Sequence, residues 1–400
     1  MRIAYITPYQ GPTLVKRRPI IRNRSMSNRI KIELIASLLR KANDVELFSQ
    51  GEVVDHALTF YPWFTEPERF HPDIPVYYSS ILPIRRLNGL WSNASTLRLF
   101  KQRHQAKPFD LVIVFNMKGP EIACANYALG LGIPVIVEYE DDVFVDVLGT
   151  QVDDFSSRRS RRAAAELLAR ASGCIGVSPH LLTQVPAETP KLLLRGVVGN
   201  DIVAGGEARR GGKENIVMFS GTHTFSNGVE ELIQAWREVN LPDWKLHITG
   251  FGKLTDSLRK MAEDVPGVVF HGLVSREQLV ELMTSTKICI NPHTLSQTPG
   301  NVFAFKIIEY LAAGAHVVTT PMGALEKEVE AGITYIPNNE PKTIVKSLRT
   351  LVDREDWKRE ARRFVIATYG EAATAEKLAA LIASVTHQKT ENEPELAGVR

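Results

Sequence analysis

One alternation constrains this chain more than any other feature, because it runs twice. Short apolar runs alternate with stretches of helical period over residues 2–194, and the pattern restarts over 215–331. Runs such as DLVIVFN (110–116) and PVIVEY (134–139) have no polar face, so they read as strands covered on both sides. Between such runs, apolar residues recur three and four apart, as Ile30, Leu34, Ile35, Leu38 and Leu39 do. That is the stripe of a helix lying on a sheet. Strand–helix–strand units in series give a parallel sheet with helices on both faces. Two series joined by the glycine-rich, charged segment GGEARRGGKE (205–214) predict an α/β chain of two doubly wound domains.

Four hundred residues are too many for one ordinary core, which agrees. Hydrophobic content of 44% and charged content of 23% are those of a globular protein. A net charge of +3 gives no global nucleic-acid signature. Cys124, Cys174 and Cys289 lack metal-binding spacing and read as buried thiols in a reducing compartment. The opening MRIAYITPYQ has too short an apolar run for a signal peptide, and no stretch approaches the ~20 apolar residues of a membrane span. The expectation is a cytoplasmic protein with at most peripheral contact at the inner face of a membrane. The expected divisions are 1–205, 206–355, helices at 356–386 packing back towards the first domain, and a disordered tail at 387–400.

The segment SQTPGNVFAFKIIEYLAAG (296–314) carries the densest chemistry. A polar Pro-Gly loop runs into a short helix with one acid, Glu309, among apolar neighbours. Free backbone N–H groups and the helix dipole at its start make a phosphate site. Asn301 precedes Glu309 by eight residues, about two helical turns or roughly 12 Å, on nearly the same face. NVFAFKIIE resembles the paired-glutamate motif of the retaining GT-B glycosyltransferases of group 1, or family 4, with Asn301 in the first place and Glu309 in the second. The segments VMFSGTHTFSNGVEELIQAW, LHITGFG, VVFHGLVSREQLVELM and KIIEYLAAGAHVVTTPMGALEKEV follow in that family's order and spacing.

The resemblance implies two Rossmann-like domains facing across a cleft, an acceptor-side domain first and a nucleotide-sugar donor domain second. It implies that Glu309 holds the ribose hydroxyls and that Asn301 meets the donor sugar. Gly300, Val302 and Phe303 line the same loop. Family members commonly carry an Arg just after the first glycine turn and a Lys a few residues on. This chain has Gly221-Thr222-His223 and then Asn227-Gly228, so both basic positions are lost. A protonated His223 would substitute, although a lone loop histidine is more often a surface residue. Lys306 is either a second phosphate partner or a solvated helix lysine. Gly250-Phe251-Gly252 follows a strand and would let a nucleotide approach the backbone, and His271 and Leu273 stand where the family binds the base. Arg195 is a looser candidate for the cleft.

On the acceptor side the candidates are Tyr9, Gln10 and Gly11 in the first loop, and Glu138 and Asp141 in the acidic run Glu138-Tyr139-Glu140-Asp141-Asp142. That run reads as a solvated loop, as an acceptor-hydroxyl site or base, or as a metal site. The metal reading is set aside because the resemblance is to a metal-independent fold. The catalytic candidates are thus Asn301, His223 and Glu138, with no metal and no cofactor beyond the nucleotide-sugar substrate. Arginine-rich stretches (Lys16, Arg17, Arg18, Arg22, Arg24; Arg85, Arg86; Arg158, Arg159, Arg161, Arg162) suit anionic lipid or a lipid-diphosphate acceptor, or are solvated faces. The function implied is transfer of a sugar to a glycan or lipid-linked acceptor. The alternatives are a nucleotide-sugar epimerase of the same fold and a non-catalytic sugar-nucleotide-binding protein.

Overall fold

The computed structural model describes residues 1–18, 26–51, 59–68, 70–84, 87–146, 155–209, 212–352 and 359–391. The chain divides into two units: Met1–Phe144, Gln151–Leu194 and Thr374–Arg400 in the first, Val145–Thr150 and Arg195–Ala373 in the second.

Among the described residues the first unit forms an eight-stranded sheet. Its strands are β1 (Arg2–Thr7), β2 (Asp44–Ser49), β3 (Phe64–Pro67), β4 (Pro75–Tyr78), β5 (Leu111–Phe115), β6 (Val135–Tyr139), β7 (Gly173–Gly176) and β8 (Lys191–Leu193), in the order β3-β4-β2-β1-β5-β6-β7-β8. Only β3 pairs antiparallel, with β4. β1, β5 and β6 are buried along their whole length, as their unbroken apolar runs require. Connections leave β1 towards β2 on one side while β5 begins the other side. The switch point, where doubly wound sheets place ligands, therefore lies at the carboxyl ends of β1 and β5. The helix Glu371–Glu391 returns the chain to this unit. A Cβ on Gly173 would stand 2.8 Å from Val385 and 3.5 Å from Leu381, so the glycine lets that helix close on β7.

The second unit forms a six-stranded parallel sheet of β9 (Glu214–Ser220), β10 (Lys245–Thr249), β11 (Val268–Gly272), β12 (Thr286–Asn291), β13 (His316–Thr319) and β14 (Ile333–Tyr335), in the order β11-β10-β9-β12-β13-β14. Leu232, Ile233 and Trp236 of the helix Val229–Val239 and Ile344 and Leu348 of the helix Pro341–Leu351 pack with Val217, Leu246, Ile248 and Ile288 of the sheet. Here the switch point falls between β9 and β12. Lys213 braces the far side: its ammonium donates to the carbonyls of Thr284, Thr286 and Ala313 at 2.9–3.1 Å, capping two helix ends together, and burial lowers its pKa to about 8.

Several sequence expectations change. The expected linker from 205 is partly helix, Asn200–Ala208, within the second unit. The motif helix is only Lys306–Ala312, so Asn301 lies in the loop before it and not two turns back on one helix face. The N–H groups of Ile307, Ile308 and Glu309 already bond to the carbonyls of Ala304 and Phe305, so these three are not open to an anion. The last helix runs to Glu391, past the expected start of the tail at 387, and 392–400 lie outside the described residues. Arg18 is buried. Its guanidinium donates to the carbonyls of Gln50, Gly51, Pro62 and Ser79 at 2.8–3.2 Å, and burial lowers its pKa to about 10. Arg17 pairs with Glu66. Arg18 is therefore structural, and the lipid-facing role expected of it is corrected, while Arg17 stays exposed in a surface ion pair. Arg22, Arg24, Arg85 and Arg86 lie outside the described residues.

Candidate functional site

In the second unit the loops after β9, β10 and β11 are laced together through their glycines. Gly250 has φ +115°, its N–H bonds to Gly272 O at 2.8 Å, and a Cβ there would stand 1.9 Å from the carbonyl oxygen of Gly221. A Cβ on Gly252 would stand 2.4 Å from the carbonyl oxygen of His223. Gly250 and Gly252 thus serve loop-on-loop packing. What they fix in place is the Gly221-Thr222-His223 turn at the switch point.

That turn faces Lys306. The lysine is half-buried, with Nζ 4.4 Å from the Phe219 ring centroid and 3.0 Å from where a Cβ on Gly221 would be. It makes no ion pair among the described residues, and burial lowers its pKa to about 7. It is not the solvated helix lysine of the alternative reading. His223 is fully buried rather than on the surface. Its Nδ1 meets Thr255 Oγ1 at 2.9 Å, Nε2 has no hydrogen bond, and burial, opposed by the Thr249 carbonyl and reinforced by Arg259 and Lys306, lowers its pKa. His293, after β12, is a third basic group. Its Nδ1 meets Thr294 O at 2.7 Å, so the proton sits there, and burial and Lys306 lower its pKa. Three basic side chains therefore line the switch point with no carboxylate partner among the described residues.

Glu309 follows Lys306 by three residues on the same helix, which sets the two Cβ atoms about 5–6 Å apart. It is buried, and Arg276 Nη1 donates to its Oε1 at 2.7 Å, while the same guanidinium holds Asp201 at 2.7 and 3.2 Å. Burial raises the pKa of Glu309 and Arg276 opposes that rise. Asn301 is buried, with Nδ2 donating to Asp146 O at 3.1 Å. Gly300 has φ +86°, and its loop packs on Gly323. Val302 and Phe303 are half-buried. Phe303 lies 5.1 Å under the guanidinium of Arg195, which is itself paired with Glu326 at 2.9 Å and bonded to Ala324 O. Arg195 thus anchors this loop. Thr222 is exposed. Phe251 and Leu273 remain 58% and 48% exposed at the ends of β10 and β11, apolar surface beside a polar site. His271 lies against His247, ring centroids 4.7 Å apart.

In the first unit the acids separate. Glu138 is fully buried, bonded to the Tyr5 hydroxyl and 3.3 Å from Lys31, which also pairs with Glu140. Burial pushes Glu140 up to about 8 against the pull of Lys31. With its oxygens turned to the Tyr5 hydroxyl and Lys31, Glu138 holds Lys31, and that structural role replaces the catalytic one expected of it. Asp141 is exposed and accepts from Asn116 at 3.4 Å. Asp142 accepts from Gln184 at 2.7 Å and from the Phe144 N–H at 2.9 Å, and meets His180 Nε2 at 3.1 Å. Tyr9 is buried with its hydroxyl on Glu33 at 2.8 Å. Gly11 gives room to Glu68 and the Tyr78 hydroxyl, while Gln10 is half-buried beside them in sequence. Among the described residues no three His, Cys, Asp or Glu side chains converge as a metal site.

Arg276, His293 and His180 were missed in the sequence. Ser275 announces itself as a helix cap, but nothing local points Arg276 at Glu309. His293 did carry a signal: it follows the strand that ends at the switch point.

Residues 214–354 match the model of the family described as glycosyl transferases group 1. A GDP-mannose-dependent alpha-(1-6)-phosphatidylinositol dimannoside mannosyltransferase of Mycobacterium tuberculosis is 31% identical over 137 residues, 33% of this chain and 34% of that protein. The chain spans about a third of the length of the curated relatives it matches. Sucrose-phosphate synthase from Thermosynechococcus elongatus superimposes with TM-score 0.71 at 16% identity, covering 97% of this chain and 100% of that one. The Anabaena protein HepE in complex with UDP-glucose does so with TM-score 0.65 at 15% identity, covering 96% and 100%. The chain has the GT-B fold, and its residues 214–354 are similar to the group 1 glycosyltransferases.

Proposed function

We propose that the protein is a glycosyltransferase that moves a hexosyl group from a nucleotide-sugar donor to a glycan or lipid-linked acceptor. The observation that carries this reading is Lys306, a desolvated lysine without a counter-charge at the switch point, one helical turn before the buried acid Glu309. A diphosphate beside Lys306, His223 and His293 would meet the charge this site lacks. A ribose lying along the helix would reach the free oxygen of Glu309. As the glycosidic bond breaks, negative charge develops on the leaving diphosphate, and Lys306, protonated as the diphosphate binds, with N–H donors beside it would lower the barrier. Apolar Phe251 and Leu273 would cover the base. Asn301 would hold the donor sugar without adding a negative charge, and retention of configuration follows the family resemblance. Asp141 and His180 at the carboxyl edge of the first sheet offer acceptors for an incoming hydroxyl. One relative is named for a GDP-sugar and one structural neighbour holds UDP-glucose, which supports a nucleotide sugar without choosing the base.

A panel of UDP- and GDP-sugars, with and without glycan and polyprenyl-lipid acceptors, tests this by release of nucleoside diphosphate and by appearance of product. Transfer lost in Lys306→Met supports the reading. Conversion of the donor to its epimer without release of nucleotide would assign the epimerase, and binding without either reaction would assign a non-catalytic protein.

A further inference from the structure

The first unit carries an apolar surface that the transfer site does not use. Phe60 and Trp63 stand 50% and 54% exposed before β3, and Leu87, Leu90 and Trp91 stand 49%, 71% and 40% exposed at the start of the helix Asn88–Ala106. The two stretches meet: the rings of Phe60 and Trp91 pack edge to face at 5.8 Å, and a bridge from Tyr61 to Ile81 fixes the first stretch on the segment after β4. Trp91 donates its indole N–H to Ser80 Oγ at 3.2 Å, so its polar edge is satisfied. Along the helix the stripe continues through exposed Ala94 to Arg98, which has no partner among the described residues.

The charge around this patch selects its occupant. No Asp or Glu occurs anywhere in residues 74–109, while Arg85, Arg86, Arg98, Lys101, Arg103 and Lys107 do. Arg103 and Lys107 pair with Glu46 and Asp44, and Lys101 lies on Tyr127, so among the described residues of this helix the unpaired charge is that of exposed Arg98. Trp, Phe and Leu beside unpaired Arg98, with the acids nearest Trp63 already engaged (Glu66 by Arg17, Glu68 by the Tyr78 hydroxyl), match a layer that is apolar beneath and anionic at its surface. We infer that this face, Phe60, Trp63, Leu87, Leu90 and Trp91 with Arg98, docks on the interface of an anionic lipid bilayer. It replaces Arg18 of the first loop as the lipid contact and stands independently of the transfer reaction.

Flotation of the full chain decides it, with vesicles of phosphatidylcholine alone and with roughly one third phosphatidylglycerol, at low and at high salt. Binding is expected on the anionic vesicles, weakened by salt, and reduced at least tenfold by Leu90→Glu/Trp91→Glu, with nucleotide affinity and thermal midpoint unchanged. Brominated lipid should quench tryptophan fluorescence in the wild type, and the quenching should vanish in Trp63→Phe/Trp91→Phe. Absence of flotation at low salt overturns the inference. So does flotation that the Leu90→Glu/Trp91→Glu variant retains in full, because the contact would then lie elsewhere.

Discussion

Arg276 holds Glu309 by one oxygen and leaves the other open: Nη1 reaches Oε1 at 2.7 Å, while the rest of the guanidinium is fixed on Asp201. The pair joins the first turn of the helix Arg276–Ser285 to that of Lys306–Ala312. A buried carboxylate without a counter-charge would take up a proton, and Arg276 resists that.

Glu309→Gln is expected to weaken nucleotide binding about tenfold, the scale of one charged hydrogen bond. Arg276→Met should act differently. Glu309 then rises further in pKa, so affinity is lost at a higher pH than in the wild type as the solution is acidified. Calorimetric titration with UDP and GDP across the acid range reads both effects. Superimposable pH curves for Arg276→Met and the wild type would show that Arg276 is only a strut.

Lys306 is half-neutral near pH 7 in the free protein. A diphosphate raises its pKa, so binding takes up protons and affinity falls as pH rises through about 7. Calorimetry in two buffers of different ionisation enthalpy should reveal that uptake. Lys306→Met should remove most of it and weaken binding tenfold or more. An unchanged proton count in that variant would transfer the role to His223 or His293.

Turnover should survive EDTA, since side-chain cations are proposed to meet the diphosphate. Activity lost on chelation and restored by magnesium or manganese would place a metal in that role.

Gly250→Ala should destabilise the second unit by about 3 kcal/mol, because a Cβ would collide with the Gly221 carbonyl at a φ that L-residues rarely adopt. Gly130→Ala, at a helix end with nothing within 4 Å of the added carbon, should be neutral or slightly stabilising. Urea unfolding of the two variants is the comparison. Equal midpoints would mean that the loops part without cost.

His247 is held neutral by burial, with the nearby charges of His271 and Lys245 adding, and its pKa falls to about 4. The unfolded chain binds a proton below about pH 6.5 that the native state refuses until about 4. Stability from this group is therefore complete above pH 6.5 and is lost as pH falls towards 4, by roughly 1–3 kcal/mol. His247→Leu should flatten that acid limb in a pH series of denaturant midpoints. An unaltered limb would assign the acid loss to the other buried histidines.

The layered architecture was legible because it depends on local pattern. Apolar runs such as 110–116 and 134–139 became central strands β5 and β6, and the second series became β9 to β14. The site was legible only as far as chain order carried it. The family motif located Glu309 and the Gly221 turn, but the burial of Lys306 and His223 depends on Phe219, Thr255 and glycines tens of residues away. The same holds for charge. Lys16, Arg17 and Arg18 look alike in sequence, yet only the fold brings four carbonyls around Arg18 and Glu66 to Arg17. The acidic run misled for the same reason, since Lys31 is more than a hundred residues from Glu138 and Glu140.

The return of the helix Glu371–Glu391 to the first unit sets an order of assembly. Val385 and Leu381 cover Gly173 on β7, yet they leave the ribosome after every strand of the second unit. The N-terminal unit must therefore wait with one flank of its sheet bare until the whole second sheet has been made, while the later-made unit has all its strands in hand. A nascent or truncated chain ending near residue 370 would expose that flank, and its aggregation would arise from the unit that was made first.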